Sequence, residues 1–226
     1  AQIDPYKSYE KGWEAFKENK FFFANKKFAE AEINFDSPDF SAKAAIMSSF
    51  SLYSINFYKE SEENLLRYLK TYPADSYVVY AHYLLAIIYF EQIAEEKNDM
   101  KPLTDAKEKI NFFLKKYPNS EYAIDLKSKR DLILNQFAAK ELYIARHYIK
   151  VQKWVPAINR LKLIVTEYDK TIFIEEALHR LVEIHYHIGL KEEAKKYANI
   201  LGYNYNSSEW FKQSYKVLNK NYKVPS

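Results

Sequence analysis

The stretch Tyr72-Pro73-Ala74-Asp75-Ser76-Tyr77 has a near-copy later in the chain, Tyr117-Pro118-Asn119-Ser120-Glu121-Tyr122. In both, a second aromatic residue follows the first after five positions. Three more aromatic pairs keep this spacing: Phe35/Phe40, Tyr168/Phe173 and Tyr205/Trp210. A small residue stands eleven positions before the first aromatic residue of each pair: Ala24, Ser61, Ala106, Ala157 and Ala194. These positions recur in register, which indicates an internal repeat.

Each position of the repeat has a physical role in a pair of packed helices. A small side chain lets two helices approach closely, and aromatic side chains fill the seam between successive pairs. Proline, or an Asn-Ser pair, after the first aromatic residue ends one helix and begins the next. The first aromatic residues of successive pairs are 37, 45, 51 and 37 positions apart, close to the ~34 residues of a tetratricopeptide unit plus insertions. The sequence therefore predicts an all-α solenoid of five tetratricopeptide-like helix pairs plus a C-terminal capping helix.

The predicted helices can be placed along the chain from the same pattern. The five pairs span residues 5–19 with 21–34, 39–56 with 58–72, 76–97 with 102–117, 119–150 with 153–168, and 171–188 with 191–203. Residues 207–220 form the predicted cap. The long helix over 119–150 joins two predicted halves. The N-terminal half, 1–118, holds three pairs, and the C-terminal half, 119–226, holds two pairs and the cap.

The composition and the short motifs argue against an enzyme. The chain has only three glycines, no cysteine, and a net charge of +4 with both signs interleaved. These features disfavour phosphate-cradling loops, thiolate metal sites and a nucleic-acid-binding surface. No HExxH motif, nucleophile elbow or EF-hand loop is present. We therefore expect no catalytic residue, no cofactor and no metal site; a histidine that converges with a carboxylate in a cleft would favour the alternative, a hydrolase.

Aromatic residues of the N-terminal half form the first candidate binding surface. The candidate groove residues are Phe35, Phe40, Tyr77, Tyr80 and Tyr83. Between Lys70 and Lys97 the sequence holds no lysine or arginine, so we expect few cations beside them. Each ring can instead pack between helices, but the third pair has too many aromatic residues for one narrow buried stripe. An aromatic groove with few cations suits an extended peptide that carries bulky apolar side chains.

Basic residues of the C-terminal half form the second candidate surface. They surround the end of the long helix and the start of its partner: Arg146, Lys150, Lys153, Arg160 and Lys162. Two interpretations remain open from the residues themselves. The cluster is either a solvated basic face or a docking surface for an acidic partner.

Three stretches resemble the BamD family, the tetratricopeptide lipoproteins of the machinery that assembles outer-membrane β-barrels. They are Tyr117-Pro118-Asn119-Ser120-Glu121-Tyr122, Ala145-Arg146-His147-Tyr148, and Trp154-Val155-Pro156-Ala157-Ile158-Asn159-Arg160. The five predicted pairs and the long helix of the fourth pair also look like that family. The resemblance covers the chain from about Tyr9 to Trp210.

The resemblance implies a non-catalytic scaffold with two kinds of polypeptide partner. The N-terminal half would receive the C-terminal targeting strands of unfolded outer-membrane proteins. The C-terminal half would dock the periplasmic domain of the barrel protein BamA, and other lipoproteins of the complex would bind as well. Asn159 and Arg160 correspond to an Asn-Arg dipeptide of the docking surface, and we predict that Arg146 and Lys153 contribute to it.

The resemblance also implies a location. A lipidated cysteine that precedes the first residue shown would anchor the protein to the periplasmic face of the outer membrane of a Gram-negative bacterium. The alternative that the sequence leaves open is a general tetratricopeptide adaptor for another envelope or chaperone complex.

Overall fold

The computed structural model describes residues 3–94 and 100–219, and within these residues the chain folds into eleven α-helices and no strand. The helices are α1 Pro5–Lys17, α2 Phe21–Asn34, α3 Pro38–Tyr53, α4 Tyr58–Thr71, α5 Val78–Glu91, α6 Lys101–Lys116, α7 Ala123–Lys150, α8 Trp154–Glu167, α9 Ile174–His187, α10 Lys191–Asn204 and α11 Glu209–Leu218. They follow one another as tandem helix pairs, so the predicted all-α, tetratricopeptide-like fold is confirmed. The predicted helix ends at residues 97 and 220 lie outside the described residues.

The chain forms two compact units, Ala1–Arg130 (unit 1) and Asp131–Ser226 (unit 2). Unit 1 contains the first three pairs, and unit 2 contains the helices from α8 to α11; the long helix α7 has residues in both. The functional division of the chain at residues 118 and 119 stays a prediction. In the two ranges that the structure describes, no helix combines the length and the apolar character that crossing a bilayer requires.

The small residues of the repeat allow the close helix packing that the sequence predicts. All five have no exposed surface: Ala24, Ser61, Ala106, Ala157 and Ala194. The first pair also needs a small residue at a second position, because Gly12 of α1 faces the buried ring of Phe28 on α2. A methyl group on Gly12 would lie 2.8 Å from two atoms of that ring, so only glycine fits there without a shift. Larger apolar residues, such as Leu65 of α4 and Leu161 of α8, fill the remaining core.

The turns inside four of the pairs share one backbone arrangement. Two or three positions after each first helix ends, one residue takes a positive φ: Asn19, Asn56, Gln152 and Gly189. The next amide then bonds back to a carbonyl five residues earlier, as in Lys20 N–H to Ala15 O and Leu190 N–H to His185 O. This arrangement closes the end of one helix and starts the next directly afterwards. In the third pair the corresponding segment includes residues 95–99, which lie outside the described residues.

The turns between pairs explain why three helices begin later than predicted. After Tyr72, Tyr117 and Tyr168 the chain makes two successive turns before the next helix starts. In one of them, Ser120 N–H bonds to Tyr117 O and Ala123 N–H bonds to Ser120 O. Because these turns take up the first residues, α5, α7 and α9 begin at residues 78, 123 and 174, and not at 76, 119 and 171. Most of these loop residues have accessible side chains, such as Ser76, Tyr77 and Glu121, whereas Thr171 is buried.

Candidate functional site

Two neighbouring pockets lie along the loops that connect the helix pairs of unit 1. The larger has a volume of about 760 Å³ and is lined by Ser76, Tyr77, Val79, Tyr80, Lys116, Tyr117, Pro118, Asn119, Ser120, Glu121 and Tyr122. We call it the Tyr122 pocket. The smaller, the Phe40 pocket, has about 450 Å³ and is lined by Asp39, Phe40, Lys43, Ala74, Asp75, Ser76 and Tyr77. Both are lined by Ser76 and Tyr77, so the pockets are adjacent.

Seven aromatic rings, three exposed and four partly buried, line the two pockets or pack beside them, and we call them the aromatic edge: Tyr6, Phe35, Phe40, Tyr77, Tyr80, Tyr117 and Tyr122. Phe35 stacks on Phe40 with 5.3 Å between ring centroids, and Tyr6 meets both rings edge-on. Tyr6, Phe40 and Tyr77 keep 61%, 44% and 40% of their surface exposed. So much exposed aromatic surface is unusual unless something covers it in function.

Tyr83 lies behind this edge and supports it. Its ring stacks on Tyr122 at 4.5 Å, and its hydroxyl donates to Asp125 Oδ2 at 2.9 Å. Tyr80 packs against both Tyr83 and Tyr122. Burial raises the pKa of the Tyr80 and Tyr83 hydroxyls, so both stay neutral. Of the five predicted groove residues, Phe40, Tyr77 and Tyr80 line the two pockets, Phe35 backs Phe40, and Tyr83 backs Tyr122.

The charges at the pockets differ from the expectation of few cations. Lys43 of α3 lines the Phe40 pocket, and Lys116 at the end of α6 lines the Tyr122 pocket. The absence of lysine and arginine between Lys70 and Lys97 therefore did not predict the charges at the pockets, because neighbouring helices supply the two lysines. Asp75 is held in place, since it accepts hydrogen bonds from the Tyr68 hydroxyl and from the Tyr77 amide.

In unit 2 a pocket of about 360 Å³ lies on one face of α8. Its lining residues are Tyr148, Val155, Pro156, Asn159, Arg160 and Leu163, and we call it the Arg160 pocket. Arg160 Nη1 donates to Glu141 Oε2 at 3.0 Å, which fixes the guanidinium while 43% of the side chain stays exposed. The remaining N–H groups of Arg160 are therefore available to a ligand beside an apolar surface.

The four residues predicted to bind BamA do not all share this pocket. Asn159 and Arg160 line it together. Arg146 instead reaches α9, where its Nε donates to Glu176 Oε1 at 3.0 Å, and Arg180 pairs with the same carboxylate. Lys153 is exposed at the residue that precedes α8. The structure thus brings together Asn159 and Arg160 and ties Arg146 into an internal ion pair.

One histidine does converge with a carboxylate, the feature that would have favoured a hydrolase. His179 Nδ1 lies 2.8 Å from Ser214 Oγ, and His179 Nε2 lies 3.4 Å from Glu183 Oε1. However, Ser214 is fully buried and His179 is 2% exposed, so no substrate can reach the hydroxyl. The network attaches α11 to α9. Across the described ranges, no group of three or more histidine or carboxylate side chains could hold a metal ion.

Several residues of these surfaces were missed by reasoning from the sequence. The spacing already marked Tyr117 and Tyr122 as repeat positions, but their exposure follows only from the turns that precede α7. Lys43 stands one helical turn after Phe40, a signal that could have been used. Glu141 had no signal, because its contact with Arg160 depends on the packing of α8 against α7.

Comparisons with known proteins find similarity over most of the chain. A family model described as "Outer membrane lipoprotein" matches residues 1–201. The chain is 33% identical over 214 residues to the outer membrane protein assembly factor BamD of Rickettsia prowazekii (strain Madrid E), which covers 95% of this chain and 85% of that protein. It is 36% identical over 194 residues to BamD of Caulobacter vibrioides, with 86% of this chain and 64% of that protein covered. The chain thus spans less than two thirds of the Caulobacter protein.

Proposed function

The chain belongs to the YfiO family of outer membrane lipoproteins, a family of non-catalytic assembly factors, and we propose that it is a scaffold that holds two polypeptides at two surfaces. It has a role in outer membrane protein assembly and is not an enzyme. We further propose that a lipid anchor holds it at the periplasmic face of the outer membrane, where other lipoproteins of the complex bind it.

The first proposed partner is the C-terminal targeting strand of an unfolded outer-membrane protein. An extended strand presents its side chains alternately, so every second one can enter a pocket. The aromatic edge offers two adjacent pockets lined by Phe40, Tyr77, Tyr80 and Tyr122. Aromatic rings in such pockets bind bulky apolar side chains with little loss of conformational freedom. The aromatic lining of these two adjacent pockets is the observation that carries the substrate part of the proposal.

The second proposed partner is the periplasmic domain of BamA, docked at the Arg160 pocket. A half-exposed arginine that is already oriented by Glu141 can donate to a carboxylate of the partner. Val155 and Pro156 beside it offer an apolar surface that excludes water from such a contact. Asn159 adds an amide that can donate and accept within the same pocket.

Two substitutions, each expected to weaken binding of only one partner, test the proposal on the full chain. We expect Arg160→Glu to weaken binding of BamA's periplasmic domain by at least about 100-fold and to leave peptide capture unchanged. We expect Tyr77→Ala to weaken capture of a C-terminal strand peptide by about tenfold and to leave BamA binding unchanged. Both affinities are measured by isothermal titration calorimetry for every variant.

Matched controls separate the proposed surfaces from general effects. Lys170→Glu reverses an exposed charge in the loop before α9, outside the Arg160 pocket and the basic cluster, and Tyr203→Ala removes a ring that is 90% exposed in unit 2. Neither should change either affinity. If BamA binding survives Arg160→Glu, the docking part of the proposal is wrong. A chain that binds neither partner but captures other envelope proteins would be a general adaptor.

A further inference from the structure

The Tyr122 pocket contains a lysine that no carboxylate neutralises. Lys116 Nζ lies 5.3 Å above the centre of the Tyr117 ring and 5.6 Å above that of Phe112. These cation–π contacts hold the ammonium group over the pocket wall. Among residues 3–94 and 100–219, no carboxylate oxygen lies within ion-pair distance of it. Its three N–H donors therefore remain open to a ligand.

The two pockets of the aromatic edge differ in charge. The Phe40 pocket includes one lysine, Lys43, and two carboxylates, Asp39 and Asp75. The Tyr122 pocket includes Lys116 and Glu121. Burial first and the Glu121 carboxylate next raise the pKa of the Tyr122 hydroxyl, so this hydroxyl is neutral and already lies beside Glu121. A negatively charged ligand group is thus repelled more at the Phe40 pocket than at the Tyr122 pocket.

We propose that the aromatic edge binds its strand in one direction, with the terminal α-carboxylate at Lys116 and the terminal aromatic side chain in the Tyr122 pocket. This inference rests on the proposed function, because it requires that the edge binds the C-terminal end of a polypeptide. The preceding residues of the strand run past Tyr77 into the Phe40 pocket, where Asp39 and Asp75 exclude the carboxylate.

The chemistry of the Tyr122 pocket fits both parts of such an end group. Tyr77, Tyr80, Tyr117 and Tyr122 supply ring faces and edges for an aromatic side chain. Lys116 supplies a charge-assisted hydrogen bond to the carboxylate, which is stronger than a bond between neutral groups. A strand whose end is blocked as an amide keeps the ring contact and loses only the charged one.

The test compares one peptide in two forms. The probe is a synthetic strand with alternate apolar residues and a final phenylalanine, prepared with a free carboxylate and as the amide. We expect the free acid to bind the full chain about tenfold more tightly than the amide. In Lys116→Met we expect the two forms to bind equally, at the affinity that the amide has for the unaltered chain. Affinities are measured by fluorescence anisotropy.

Two further variants serve as controls. Lys115→Met removes the neighbouring exposed lysine, which does not line the pocket, and Lys43→Met removes the lysine of the Phe40 pocket. Both should keep the tenfold preference for the acid. The proposal is overturned if acid and amide bind the unaltered chain equally, or if Lys43→Met and not Lys116→Met removes the preference. If neither form binds at all, the proposed function of the edge fails together with this inference.

Discussion

The aromatic edge of unit 1 is built from the loops between helix pairs, whereas the Arg160 pocket of unit 2 is built from helix faces. On the edge, Tyr77 and Tyr122 stand in turns just before α5 and α7. In the Arg160 pocket, Asn159 and Arg160 are helical, and a glutamate of α7 orients the arginine. The same repeat thus produces a surface lined by aromatic rings in one unit and a surface around an oriented arginine in the other.

The loop of unit 2 that corresponds to the aromatic edge has different contacts. Tyr168 holds the place of Tyr72 and Tyr117, but its ring stacks on Phe137 with an angle of 5° between the planes. Ile172 takes the place that Ser76 and Glu121 have in unit 1, and its amide donates to Asn135 Oδ1. The repeated tyrosine thus has a different packing partner in this loop, and an exposed aliphatic side chain stands where unit 1 has a polar one.

The largest effect on stability is expected from an arginine–glutamate ion pair in each unit, whose carboxylate is buried. Glu32 accepts from Arg67 in unit 1, and Glu176 accepts from Arg146 and Arg180 in unit 2. Each glutamate is 7% exposed. Glu32→Ala and Glu176→Ala should each lower the free energy of unfolding by about 3 kcal/mol, because each removes a buried acceptor and with it at least two charged hydrogen bonds between helices.

Hydrogen exchange measured by mass spectrometry shows which helices lose stability in these two variants. We expect Glu32→Ala to speed exchange in α2 and α4, and Glu176→Ala to speed it in α7 and α9. Glu192→Ala, at an exposed pair with Lys195, is the control and should change little. Equal loss of protection in both units after either substitution would show that they unfold as one body.

A smaller loss of stability, about 2 kcal/mol, is expected when a glycine that permits close helix packing in unit 1 is replaced by alanine. A methyl group on Gly12 would meet the Phe28 ring at 2.8 Å, and Phe28 is fully buried and has no room to move. Gly202 of unit 2 faces the Phe211 ring at 2.9 Å, but that ring is partly exposed on α11 and can shift. Gly12→Ala should therefore lower the free energy of unfolding by about 2 kcal/mol, and Gly202→Ala should lower it by about 1 kcal/mol.

Urea denaturation of the full chain measures both glycine variants. Each unfolding curve is fitted for the transition of the affected unit, and the slope is compared with that of the unaltered chain. A larger cost for Gly202→Ala than for Gly12→Ala would mean that α11 is held more rigidly than the contacts of Phe211 suggest.

The helix pairs could be predicted from the sequence because their determinants are local and repeated. A small residue such as Ala157 is needed wherever two helices touch, and a tyrosine such as Tyr117 ends the second helix of a pair. The starts of α5, α7 and α9 were missed by a few residues, because the turns after Tyr72, Tyr117 and Tyr168 depend on backbone hydrogen bonds and not on side-chain pattern.

The candidate surfaces could be predicted only in part. Phe40, Tyr77 and Tyr80 were found because large aromatic residues in excess of a buried stripe must reach a surface. The lysines beside them were missed, since Lys43 and Lys116 come from other helices than Tyr80 does. The ion pairs of Arg146 and Arg160 also depend on tertiary contacts, so the sequence could not separate these two cations.

Salt should distinguish the two surfaces by about tenfold in affinity, which is near 1.4 kcal/mol. Raising the salt concentration from about 0.05 M to about 0.5 M screens the contact of Arg160 with an acidic partner. Binding of BamA's periplasmic domain should fall about tenfold, while capture of an amidated strand peptide should change less than about twofold. Surface plasmon resonance measures both. Equal salt dependence of the two affinities would contradict the distinction between an apolar and a charge-directed surface.

The smallest effect concerns acid stability in unit 2, where Glu183 keeps 39% of its side chain exposed and water screens its charge. Hydrogen bonds from His179 and then from Arg180 lower the pKa of the Glu183 carboxyl from 4.5 to about 2, while burial acts in the opposite direction. The unfolded chain therefore takes up this proton first as the pH falls. The stabilisation is complete above about pH 4.5 and is lost progressively down to about pH 2.

Glu183→Gln removes the titrating group and keeps a hydrogen-bond acceptor for His179. We expect its free energy of unfolding to be slightly lower than that of the unaltered chain at pH 6, and the difference to shrink as the pH approaches 2. Urea denaturation at a series of pH values, followed by tryptophan fluorescence, measures this convergence. Glu192→Gln, at an exposed carboxylate of α10, is the control, and its free energy of unfolding should change with pH as that of the unaltered chain does. A constant difference between Glu183→Gln and the unaltered chain over this range would show that Glu183 stabilises unit 2 by packing and not by its charge.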